Sequence, residues 1–192
     1  PSSTAQFRHS WSMAGRMDHF RAARDRLMGG TRVPVFVCRC TRTSLGSGER
    51  CVLGCADRKL DLVPGQSVLR LSVPATGDLP PGDHVLWRRD DLPAYLLGSV
   101  VVDEQLGVTA IVRGSDLRES SALQRHLAAW LPAPGFAAVD VRHHDLLMGI
   151  SGTKLSKSAG ARAHPLEHTP QLRDQIWTWA EELGAPIGIC PP

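Results

Sequence analysis

The chain has 192 residues, is 42% hydrophobic and 21% charged, and carries a net charge of +3. That composition belongs to a soluble globular protein able to bury a core. No apolar run approaches the ~18–20 residues of a membrane span, and the mixed polar and basic stretch from Phe7 to Phe20 does not read as a signal peptide. A cytoplasmic location without membrane contact is the expectation.

In chain order, the segment up to Ser12 is polar. Met13, Met17, Phe20 and Leu27 then recur at helical spacing, and Gly29-Gly30 supplies the stop. Val33 to Cys38 reads as a short strand, followed by an irregular, glycine-punctuated region to Asp61. Val68 to Val73 alternates as a strand with Leu69 and Leu71 on one face, and after a turn-rich connector His84 to Arg88 forms another. Periodicity alone leaves Ala94 to Asp103 open between helix and strand. Val108 to Arg113 reads as a buried strand, Ser120 to Trp130 as an amphipathic helix, and His143 to Met148 as the approach to a loop at Gly149 to Gly160. A last helix is expected from Pro170 to Leu183. Alternating helices and short strands favour an α/β architecture.

Cys38, Cys40, Cys51 and Cys55 cluster in the irregular region. Disulfides are disfavoured in a cytosolic protein, so four clustered thiols suggest a closed tetrahedral metal site, with incidental buried cysteines as the alternative. Basic residues are almost all arginine; the lysines are Lys59, Lys154 and Lys157. Two of them sit in Gly152-Thr-Lys154-Leu-Ser156-Lys157-Ser158. In such a loop the ammonium groups can act as mobile charges on a polyphosphate while Ser156 donates a hydrogen bond. A solvated basic surface loop is the competing reading. Arg113, directly after a strand, lies where α/β folds bind ligands. Tyr95, the lone tyrosine, stands eighteen positions before it. A surface ion pair for the one and a core position for the other are the plain alternatives.

Taken together, these motifs resemble those of glutamyl-type class I aminoacyl-tRNA synthetases. Lys154 to Ser158 is similar to the family's Lys-Met-Ser-Lys-Ser signature. His143 with Leu146-Leu-Met-Gly149 resembles its lead-in, with Asp145 where proline is usual. Asp91-Leu-Pro-Ala-Tyr95 through Val108-Thr-Ala-Ile-Val-Arg113-Gly-Ser-Asp116-Leu117 resembles the family's amino-acid-binding run, with Asp91 in place of glycine and Ser99 in place of a frequent asparagine. Cys38-Arg-Cys40-Thr-Arg42 resembles its zinc insert, in which many relatives carry tyrosine at the position of Cys51.

The resemblance implies the C-terminal part of a Rossmann-like nucleotide-binding core with a small zinc-bearing insert. Residues 1–35 would form the N-terminal helix and lead-in strand, 36–90 the zinc-binding connective region, and 91–192 the second half of the catalytic core. It further implies that Tyr95, Arg113 and Ser99 bind the amino acid. His143, Lys154 and Lys157 would bind ATP with Mg2+, and Lys154, Ser156 and Lys157 would assist catalysis. The four cysteines would hold structural Zn2+, with glutamate and tRNA as substrates. The short stretch after the lysine loop points to the compact glutamyl-queuosine tRNA(Asp) branch. The 192 residues hold no His-Ile-Gly-His-like segment, the family's second signature, which stabilises ATP phosphates at a helix N-terminus. The expectation is therefore a chain not self-sufficient in adenylate formation. It would self-associate or meet a partner bearing that segment, or else serve as a non-catalytic tRNA, amino-acid or protein binding module.

Overall fold

The structure is a computed structural model that describes residues 12–41, 50–51 and 53–146. The lysine loop, the expected helix Pro170 to Leu183 and part of the cysteine region lie outside the described residues.

A 3-10 turn, Met13–Arg16, opens on Ser12, whose hydroxyl accepts from the Gly15 N–H at 3.4 Å. It runs into helix α1 (Met17–Gly29), which buries Phe20 and Leu27, two turns apart on one face. Strands β1 (Val35–Cys38), β2 (Val68–Val73) and β3 (Gly82–Trp87) form an antiparallel sheet in that order. Val37 lies opposite Leu69 and Cys38 opposite Val68. Because strand side chains alternate, this register sorts two faces. Val37, Leu69, Leu71 and Val73 enter the main core, while Cys38 and Val68 form a second cluster with Cys40 and Cys55. On β3 the partner jumps from Trp87 opposite Leu69 to Val85 opposite Arg70, leaving Leu86 as an extra residue. That bulge lets Leu86 and Trp87 both enter the main core while Val85 faces the cysteines.

Helix α2 (Tyr95–Leu106) settles the stretch that periodicity left open. Leu96, Leu97, Gly98 and Val100 are all buried, because α2 packs against α1, β3 and two later helices. A helix covered on several sides shows no clean amphipathic stripe. It ends at Gly107, whose φ of 63° is the left-handed cap that glycine adopts without strain. Strand β4 (Ala110–Gly114), a 3-10 turn (Ser115–Leu117), helices α3 (Arg118–Trp130) and α4 (Pro134–Ala137) and strand β5 (Asp140–His144) complete a crossover. β4 and β5 pair in parallel, which requires such a long connection. The short α4 is held by Glu104 of α2, whose carboxylate accepts from the N–H groups of Gly135 (3.3 Å) and Phe136 (2.6 Å). It thereby satisfies N-terminal donors that have no partner within the helix.

Two expectations are corrected. The strand at Val108 to Arg113 exists but is not buried: Ala110 is exposed and Val112 is 51% exposed. In a two-stranded sheet backed by helices on one side, only alternate residues turn inward, here Ile111 and Arg113. The other is β5, of which the sequence reading took in only His143 and His144, as the start of the approach to a loop. Its alternation of half-buried Val141 and His143 with exposed Asp140, Arg142 and His144 is carried by polar residues. The main core gathers Phe20, Leu27, Leu71, Leu97, Leu127 and Phe136 between the sheet and the helices. Among the described residues, no helix is long and apolar enough to cross a membrane.

Candidate functional site

Arg113 projects inward from β4 and is 91% buried, with 9% of its surface exposed. Its Nη1 donates to the Tyr95 hydroxyl at 3.0 Å and to Gln124 Oε1 at 2.7 Å. Tyr95 stands at the first turn of α2, half exposed, so the pair joins a buried cation to an accessible phenol. Gln124 Nε2 donates to Ser99 Oγ, and the Ser99 hydroxyl donates to the Tyr95 carbonyl at 2.8 Å. The sequence-named residues Tyr95, Ser99 and Arg113 are therefore brought into one hydrogen-bonded group. Gln124, which sequence reading did not single out, closes it. The signal available was a glutamine beside Leu123 and in register with Leu127 and Ala128 on the buried stripe of α3.

Arg113 Nε and Nη2 are buried and have no hydrogen-bond partner among the described residues. Buried donors are nearly always paired, so two orphaned nitrogens on one buried guanidinium mark a place prepared for an acceptor. Those two N–H groups lie on the same edge of the guanidinium, the fork that fits both oxygens of one carboxylate. Asp103 of α2 feels the same cation. Burial raises its carboxyl above the ordinary range, and Arg113 acts in the opposite sense. On β5, directly opposite Arg113 in register, His143 meets Ser121 Oγ through Nε2 at 2.7 Å. Since the Ser121 hydroxyl donates to the Leu117 carbonyl at 2.9 Å, the imidazole supplies the proton and sits as the Nε2–H tautomer. Burial, then Arg118 and Arg113, hold His143 below its ordinary pKa. Gly114 permits the turn after Arg113, because a Cβ there would meet Asp116 Oδ1 at 2.5 Å.

The turn before Tyr95 accounts for Asp91. Its φ of 58° lies in the left-handed region, where glycine is favoured and aspartate is among the tolerated residues. Its carboxylate accepts from Trp87 Nε1 at 2.9 Å and lies 3.6 Å from Arg21 and 3.8 Å from Arg24. Arg24 also stacks over the Trp87 ring at 4.7 Å. Two clefts of about 250 and 360 Å³ lie beside α1 and are lined by neither Tyr95 nor Arg113.

The four cysteine Sγ atoms lie within 4.8 Å of one another, with Cys40 at 3.6 Å from both Cys51 and Cys55. Four thiolates around one ion at the usual zinc–sulfur length would stand about 3.8 Å apart, so the donor set fits a metal. Burial pushes the Cys38 and Cys40 thiols up. At Cys51 burial acts in the same upward sense, but the N–H groups of Cys55 and Leu53 outweigh it and bring the thiol down to about 7. The cluster is braced from behind: buried Asp83 accepts from the Cys51 N–H at 2.6 Å and from Ser72 Oγ at 2.9 Å. Arg89 donates to the Arg39 and Cys40 carbonyls. Lys154, Ser156 and Lys157 fall outside the described residues.

No family model matches the chain. It is 36% identical over 188 residues to the glutamyl-Q tRNA(Asp) synthetase of Methylococcus capsulatus, covering 88% of this chain and 59% of that protein. Against the enzyme of the same name from Aromatoleum aromaticum it is 34% identical over 187 residues, covering 85% and 56%. A solved glutamate tRNA ligase from Elizabethkingia meningosepticum, in complex with its amino acid, superposes with a TM-score of 0.56 at 18% identity, over 80% of this chain and 38% of that one. The chain is thus a homologue of the glutamyl-type aminoacyl-tRNA synthetases, with a mixed α/β fold like theirs. Three of the relatives that match most of its length are glutamyl-Q tRNA(Asp) synthetases. It spans somewhat less than three fifths of the length of these two curated relatives.

Proposed function

We propose that this chain carries the amino-acid pocket and the lysine loop of a glutamate-activating, Rossmann-like synthetase core, which uses ATP with Mg2+ and passes the activated glutamate to tRNA. The carrying observation is the buried guanidinium of Arg113, with Nε and Nη2 unpartnered beside the Tyr95 hydroxyl. A buried cation with a free side-on fork is a receptor for a carboxylate, and the names of the relatives supply glutamate as the candidate. In activation, a glutamate carboxylate oxygen attacks the α-phosphorus of ATP and pyrophosphate leaves. Lys154 and Lys157, assisted by Ser156, would stabilise the charge developing on the phosphates, in the manner of preorganised electrostatic catalysis. His143, its Nε2–H committed to Ser121, would accept from the nucleotide through Nδ1 without adding charge. Cys38, Cys40, Cys51 and Cys55 would hold zinc with no open position, in a purely structural role.

Titration calorimetry of L-glutamate into the wild-type chain and Arg113→Ala tests the pocket. Truncation should weaken binding by roughly 2–5 kcal/mol, the usual loss when one member of a buried charge pair is removed. Equal affinities would remove the assignment.

A further inference from the structure

The hydrogen bonds around Arg113 have only one consistent direction. A guanidinium has no acceptor, so Gln124 must present Oε1 to Arg113 Nη1, and its Nε2 must then donate to Ser99 Oγ. The Ser99 proton is therefore committed to the Tyr95 carbonyl. Tyr95 in turn receives the second Nη1 proton on its hydroxyl. The circuit thus begins and ends on one residue and exhausts Nη1. It leaves Nε, Nη2 and the phenolic proton as the unspent donors. Gln124 is fully buried, on a helix stripe otherwise lined by Leu123, Leu127 and Ala128. An amide at such a position costs stability unless both its ends are satisfied. Here each end is matched, one by the arginine and the other by a serine that is itself fixed.

We infer that Gln124 is a positioning residue for the amino-acid carboxylate: it occupies Arg113 Nη1 and so aims the Nε/Nη2 fork at the ligand. The inference rests on the pocket reading above. It names a determinant of carboxylate recognition that acts through Arg113 without touching the substrate. A neutral acceptor is the suitable choice, because it orients the cation without cancelling its charge. A carboxylate at 124 would orient Arg113 equally well and neutralise it.

The test uses the full chain and calorimetric titration of L-glutamate, L-glutamine and L-isoglutamine. Wild type should prefer glutamate over the monoamide that replaces the carboxylate held by Arg113. Gln124→Glu, nearly isosteric, should lower glutamate affinity at least about tenfold while changing that monoamide far less, so the preference collapses. Gln124→Met, which lacks the acceptor, should also narrow the preference and decides the matter if the charged variant does not fold. Glutamate affinity within twofold of wild type in a folded variant would overturn the inference and leave the pocket reading standing. So would a parallel loss for glutamate and both amides, since that marks general loosening of the site. A wild-type chain that binds no glutamate would overturn the pocket reading, and this inference with it.

Discussion

Replacing Asp91 separates backbone strain from side-chain anchoring at the turn that launches α2. With φ at 58°, a non-glycine residue bears about 1 kcal/mol of strain, the lower end of the left-handed range, because aspartate is a tolerated type. Glycine would relieve that strain but would enlarge the unfolded ensemble by a similar amount. The net change in Asp91→Gly is therefore set by the side chain. The Trp87 ring is 1% exposed, so leaving its Nε1 without the 2.9 Å acceptor costs about 1–3 kcal/mol. The Arg21 and Arg24 pairs involve a carboxylate side chain that is 34% exposed, and after solvent screening each adds at most ~0.5 kcal/mol. Asp91→Gly should then lose about 1–4 kcal/mol. Asp91→Ala should lose up to about 1 kcal/mol more, because alanine lacks aspartate's tolerance of the left-handed region and bears the upper part of its roughly 1–2 kcal/mol cost. Asp91→Asn, which retains an acceptor and tolerates the conformation, should lose under about 1 kcal/mol. Urea denaturation followed by circular dichroism gives the order. An Asp91→Gly protein as stable as wild type, or an alanine variant more stable than the glycine one, would refute the reasoning.

Tyr95→Phe should weaken glutamate binding by about 0.5–1.5 kcal/mol, the value of one hydrogen bond, well short of the loss in Arg113→Ala; the same calorimetry checks it. Elemental analysis of protein prepared without chelator should find one zinc per chain. Cys51→Ser should lower both the zinc content and Tm, because structural zinc contributes directly to folding. His143 has a folded pKa below its ordinary 6.5, so the folded state favours the neutral ring. Its contribution is present above pH 6.5 and is lost as pH falls toward and through the lowered folded value. Wild-type stability should therefore decline below pH 6.5, and His143→Gln should flatten that decline in denaturation curves taken between pH 5 and pH 8, a range that brackets histidine titration.

Where the sequence was legible, a single physical constraint dominated. The α1 face and the stripe of α3 each answer to one buried side, so their periods are clean; β2 is covered on both faces, and its period shows because apolar Leu69, Leu71 and Val73 alternate with polar Arg70 and Ser72. Helix α2 answers to several neighbours and loses its period, while β5 expresses a correct alternation in polar residues that hydropathy does not register. The site divides in the same way. The spacing of Tyr95 and Arg113 and the clustering of the cysteines were visible, because chemistry rather than packing selects those residue types. Gln124 was hidden because a surface glutamine and a buried one look alike until the helix face is known, and Asp91 looked like a departure from the family until its φ placed it in the region that glycine favours.

The three-stranded sheet acts as a partition between two chemistries. Leucines, Trp87 and the helices lie on one side, and the thiols with Asp83 and Arg70 on the other; among the described residues, Leu60 packs against both. Little in the pocket half depends on which four donors stand beyond the wall. Natural variation can therefore exchange the thiols for other side chains without repacking the core from which α2 presents Tyr95. Among the described residues, Leu60 is the position where a change on one side is felt on the other.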